Sequence, residues 1–154
     1  MKKLYIILSL ALVSTSLCAQ TTATKKADKL FNQYKYVAAT EEYLKLVDNG
    51  KADSYVYKQL ADSYYNIFNT TEAVKWYAKA TESNQDAETY YRYAQMLKGN
   101  GKYPEANAQM KKFASLAPND QRAKTFLENP NYIPQLLDKA KLFDVKILDI
   151  NSEK

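Results

Sequence analysis

The sequence predicts an all-α fold, a solenoid of about three helical hairpins plus a capping helix, followed by a short C-terminal β-strand. Three observations carry this. Ala39, Ala73 and Ala106 stand 34 and 33 residues apart, and four residues after each comes a large side chain: Tyr43, Tyr77 and Met110. A second series keeps the same register, with Ala27, Ala61 and Ala94 twelve residues ahead of the anchors and Leu30, Tyr64 and Leu97 nine ahead. Within each copy, apolar residues recur every three or four positions in two blocks, the pattern of two amphipathic helices per repeat.

Along the chain, Lys2 and Lys3 precede the apolar run Leu4 to Val13, and small residues follow up to Ala19. A basic start, a short apolar centre and a small residue at the cut describe a secretory signal peptide over 1–19. Cleavage after Ala19 is expected. Lipidation at Cys18 is the rival, but Thr15 and Leu17 fit that pattern poorly. Removing two lysines and no carboxylate takes the formal charge from +5 to +3 and leaves no cysteine, which suits an oxidising compartment. The repeat domain spans 20–128. Helices are expected near 23–34, 36–48, 53–67, 70–82, 86–98 and 103–116. Turn signals lie between them at Asp48-Asn49-Gly50, Asn69-Thr70, Ser83-Asn84, Gly99-Asn100-Gly101 and Ala117 to Asp120. Gly99 or Gly101 can take the left-handed conformation that ends a helix. Thr70 or Thr71 can cap the helix that follows. Asp120 can cap a last helix through Glu128, whose Ala123, Phe126 and Leu127 cover the open apolar end.

These residues resemble the tetratricopeptide repeat (TPR) family. The second copy supplies Tyr57, Leu60-Ala61, Tyr64, Ala73 and Tyr77. The third supplies Tyr90, Tyr93-Ala94, Leu97, Gly101, Tyr103, Ala106, Met110 and Pro118. The first copy is thinner, with Lys26 where a leucine is expected. The resemblance implies a curved array whose first helix in each pair lines a concave groove that binds protein partners. On that frame the partner-binding groove comprises Asp28, Asn32, Tyr55, Lys58, Asp62, Tyr65, Asn66, Tyr91, Gln95 and Lys98, with Phe31 beside them. Tyrosine offers a large contact area plus a hydroxyl, so Tyr55, Tyr65 and Tyr91 are the expected anchors. Some TPR domains grip a peptide's terminal carboxylate; here the corresponding positions hold Thr24, Asp28 and Asp62, whose negative charge disfavours that ligand.

Catalysis finds little support. There is no histidine, so the commonest general base and nitrogen ligand for metals are missing. Three glycines form no phosphate-binding motif, and no serine has a histidine or Ser-x-x-Lys partner. Glu41 and Glu42 point about 100° apart on a helix. The reading is therefore a non-enzyme with no catalytic residues, no cofactor and no metal. Without a Lys/Arg run, no nucleic-acid surface is expected.

Residues 129–154 read as a connector with a short helix from Pro134 and then a strand, where Phe143, Val145 and Ile147 alternate with polar residues. A lone strand needs a partner, so the chain is expected to continue into a β-rich domain. The run LFDVKILDINSEK, taken with the leader and the repeats, is similar to the N-terminal part of OmpA-like outer-membrane proteins. Those proteins join TPRs to a WD40-like β-propeller and a peptidoglycan-binding domain, and some tether a secretion machine. This resemblance implies an exported, periplasmic, outer-membrane-associated scaffold with a protein or peptide partner, and peptidoglycan contact only through a later domain. The alternative is a rigid spacer with an empty groove that positions the next domain.

Overall fold

The computed structural model describes residues 23–130, Tyr132 and Gln135. Among these residues the protein is helical and has no strand. Helix α1 spans 23–32, α2 Tyr36–Asp48, α3 Ser54–Asn66, α4 Thr70–Ala80, α5 Ala87–Gly99, α6 Tyr103–Leu116 and α7 Gln121–Glu128. Each of α2 to α6 packs on the helix after it, and α3 also reaches α5. The odd-numbered helices therefore form an inner layer and the even-numbered helices an outer one. No helix among the described residues is long and apolar enough to cross a membrane. The expected leader at 1–19 and the strand near 143–150 lie outside the described residues, as does most of the connector.

The spacing of small and large residues explains the stacking. Ala39, Ala61, Ala73, Ala94 and Ala106 are all fully buried, so helix backbones approach closely there. Tyr43, Tyr77 and Met110, one turn after the anchor alanines, are buried in the space beside them. Ala73→Leu should overpack this contact and cost about 1–3 kcal/mol, read as a lower urea midpoint. The buried residues form two clusters. One joins α1 to α4 and takes in Met96, Leu97 and Ala106; the other joins Tyr90, Ala94, Met110, Phe113, Ala114 and Ala123 of α5 to α7.

Helix starts differ between the two edges of the array. Asp53, Asp86 and Asp120 begin the inner helices α3, α5 and α7, each accepting a hydrogen bond from a free N–H of the first turn. The outer helices α2 and α6 begin after Lys35 and Lys102 with no side-chain cap. The cap of α4 is the Asn69 side chain, which accepts from Glu72 N–H at 3.2 Å; Thr70 and Thr71 instead approach Asn100. Asparagine wins because its side-chain oxygen already reaches the N3 amide from the preceding residue.

The turn inside each hairpin needs one left-handed residue. Gly101 fills that place in the third hairpin at φ 69°, while Gly99 stays helical as the last residue of α5. The equivalent residues in the first two are Tyr34 and Phe68, at φ 60° and 58°. Helix α1 accordingly stops before Tyr34 instead of including it. A left-handed conformation costs a side-chain-bearing residue about 1–2 kcal/mol, and these two side chains are 79% and 76% exposed, so little packing offsets it. Tyr34→Gly and Phe68→Gly should each raise stability by about 0.5–1 kcal/mol, after the entropy that glycine adds to the unfolded chain. Differential scanning calorimetry would register this as a higher Tm.

Candidate peptide-binding groove

A polar unit recurs in the first two hairpins. In the first, the Asp28 carboxylate on α1 accepts a 2.6 Å hydrogen bond from the Tyr43 hydroxyl on α2. In the second, Asp62 on α3 accepts one of the same length from Tyr77 on α4. Each joins an inner helix to its outer partner. The two units are not equivalent in surroundings. Asp62 is only 2% exposed and also receives Lys58 Nζ at 2.9 Å and an Arg92 guanidinium nitrogen at 3.2 Å.

Three polar links then run between successive inner helices. Tyr55 on α3 donates to Asp28 on α1 at 3.0 Å, Arg92 on α5 meets Asp62 on α3, and Arg122 on α7 meets Glu88 on α5 at 2.9 Å. Both arginines also cover aromatic faces: Arg92 lies 5.3 Å from the Tyr65 ring centroid and Arg122 4.1 Å from that of Tyr91. Burial works against the charge on Arg92, yet Asp62 and then Glu88 hold its pKa above the usual value. The result is an inner face whose aromatic and charged groups are largely fixed by one another.

The tyrosines make this arrangement sensitive to alkali. Burial first, and Asp28 second, push Tyr55 up to about 12. Burial raises Tyr43 and Tyr77 further, reinforced by Asp28 and Asp62 respectively. Each keeps its proton in the folded protein where an unfolded tyrosine, with a pKa near 10, has lost it. Their contribution is therefore complete below about pH 10; that of Tyr55 is lost as pH rises to about 12, while those of Tyr43 and Tyr77 decline through the same range and beyond it. Urea midpoints should fall across that window, with tyrosinate absorbance appearing later in the folded protein than in urea.

The residues expected in the groove divide into three groups. Tyr55 is 42% exposed and presents its ring, while Asn32 and Asn66 are exposed at the ends of α1 and α3. Asn66 also donates to the Asp62 backbone carbonyl at 2.7 Å. A second group is tied down: Asp28 by two tyrosines, Lys58 by Asp62, Tyr65 under Arg92 and Tyr91 under Arg122. Asp62 itself lies beneath the groove floor, its charge met by Lys58 and Arg92. Gln95 and Lys98 form the third group, at the far end beside Tyr91. Phe31 packs into the first cluster, edge-on to Tyr36. Arg92, Arg122 and Glu88 were not anticipated. The Glu88–Arg92 spacing of four residues was the available signal, since such pairs meet on a helix.

The third hairpin lacks the Asp–Tyr unit. Gln95 and Met110 stand where the earlier hairpins have Asp62 and Tyr77. Beside them an open pocket of about 660 Å³ lies among α5, α6, α7 and the residues just after α7, lined by both residues together with Tyr91, Lys98, Arg122, Phe126, Pro130 and Tyr132.

An inner layer of helices presenting a continuous surface, joined by short turns to an outer layer, defines the class of helical-repeat scaffolds. Residues 54–86 and 87–120, which hold the second and third hairpins, match the tetratricopeptide repeat family. No curated protein matches the chain. Among solved structures, the chain is similar to the second TPR domain of human RPAP3, in complex with the HSP70 peptide SGPTIEEVD. That match has 23% identity and a TM-score of 0.61, covering 71% of this chain and 93% of the other. It is also similar to the first TPR of Spaghetti (RPAP3), bound to the HSP90 peptide SRMEEVD, at 23% identity and a TM-score of 0.62. There the coverage is 78% and 94%. At this identity the likeness establishes the fold.

Proposed function

We propose that this chain is a non-catalytic protein-interaction module of the bacterial envelope. In this reading its inner face receives an extended or helical segment of a partner. The observation that carries it is the strip of Tyr55, Tyr65, Tyr91 and Arg92 on successive inner helices, a surface of rings and fixed hydrogen-bonding groups suited to peptide recognition. The peptides bound to both similar TPR structures support the same class of occupant. The basic, then apolar N-terminus supports export to the periplasm. LFDVKILDINSEK supports a place at the start of an OmpA-like, outer-membrane-associated scaffold, with peptidoglycan contact left to a later domain.

Photo-crosslinking distinguishes this from a spacer with an empty groove. A photoreactive amino acid at Tyr55, on the inner layer, should capture one discrete partner from envelope extract. The same group at Lys111, exposed on α6 of the outer layer, should not. Equal capture from both positions, or none from either, would count against the groove.

A further inference from the structure

The third hairpin departs from the first two at three positions that face one another. Where the first two hairpins have Asp28 and Asp62, the third has Gln95. Where they have Phe31 and Tyr65, it has Lys98. Where they have Tyr43 and Tyr77, it has Met110. One potential negative charge is lost and one positive charge gained, while a hydroxyl gives way to a thioether. All three replacements line the pocket formed by α5, α6, α7 and the following residues Asn129, Pro130 and Tyr132.

Lys98 has no anionic partner among the described residues, unlike Lys58, which binds Asp62. It is half-buried, and burial alone holds its pKa below the usual lysine value. The other cation of the pocket, Arg122, is already engaged by Glu88 and Asp120. Glu128 also lines the pocket but forms no ion pair with Lys98. Around Lys98 the walls are the Tyr91 ring, Met110 and Phe126. A half-buried ammonium without a counter-ion among the described residues, set in largely apolar walls, is an acceptor for an anion that arrives with an apolar group attached.

We propose that this pocket binds a peptide carboxylate adjacent to a large apolar side chain, with Lys98 as the counter-ion and Met110 and Phe126 as the apolar wall. This deepens the groove reading above and rests on it. It also moves anion recognition away from Asp28 and Asp62 to the opposite end of the inner face, where the repeat pattern has exchanged the carboxylate for an amide. The carboxylate is either a chain terminus or an acidic side chain.

Three probes separate these sources by titration of the full chain, followed through the Met110 methyl resonance. They are N-acetylphenylalanine, its amide, and N-acetyl-glutamyl-phenylalanine amide. The free acid should bind about tenfold more tightly than the amide, the worth of one charge-assisted contact. Binding by the glutamyl probe as well shows that a side-chain acid suffices; binding by the free acid alone assigns a chain terminus. Lys98→Met should remove the preference for the acid, with thermal stability unchanged or raised because a half-buried ammonium gives way to an apolar side chain. Equal binding of acid and amide overturns the proposal, as does acid binding that survives Lys98→Met. A Met110 methyl unmoved by every probe also overturns it. If crosslinking at Tyr55 persists in Lys98→Met while acid binding never depended on Lys98, only the pocket is wrong and the groove stands.

Discussion

Asp62→Ala is expected to destabilise the protein by about 3–5 kcal/mol, because it strips the counter-charge from a buried site. The Tyr77 hydroxyl, Lys58 and Arg92 would all lose the same acceptor at once. The equivalent change 34 residues earlier is a built-in control. Asp28 is only half-buried and, among the described residues, serves two hydroxyls and no cation, so Asp28→Ala should cost less, about 1.5–3 kcal/mol, the worth of a hydrogen bond to a charged group. Urea unfolding of the two variants compares them directly. Similar losses for both would mean that Asp62 is not the shared acceptor. Tyr77→Phe, which leaves both cations paired, should fall between wild type and Asp62→Ala.

Phe113→Ala is expected to cost a similar amount, about 3–5 kcal/mol, but with a different distribution along the chain. Phe113 is 1% exposed and sits in the second cluster, against the Tyr91 ring at 5.2 Å and beneath Arg122. Its removal opens a cavity where α5, α6 and α7 meet. Repeat arrays respond locally because each hairpin touches only its neighbours. Hydrogen exchange should therefore accelerate first in α6 and α7, while α2 to α4, held by the other cluster, keep most of their protection. Uniform acceleration across all helices would show that the two clusters unfold as one unit.

Most of the fold was legible because the repeat is written in residue size. Alanine at 39, 73 and 106 with a large residue four positions later fixes both the helix faces and their stacking, and the helix limits read from turn signals fall within two residues of those observed. The departures have local causes. Tyr34 and Phe68 occupy left-handed positions that glycine usually fills, so nothing in their chemistry announced a turn there. Asn69 displaced the threonines as a cap through one side-chain bond. The groove was less legible. Helical periodicity placed Asp62 on the inner layer, but its depth depends on which cations close over it, and Arg92 comes from the next repeat. Lys98 could be placed on the groove by spacing alone; that it lacks a counter-ion among the described residues is a property of the assembled neighbours.

The links Asp28–Tyr55, Asp62–Arg92 and Glu88–Arg122 have one further consequence. They brace each inner helix to the next, so the curvature of the receiving surface is set before anything arrives. On the proposed reading, a guest segment would surrender its own conformational freedom on docking while the host gives up little, and pre-bent guests would gain most from that asymmetry.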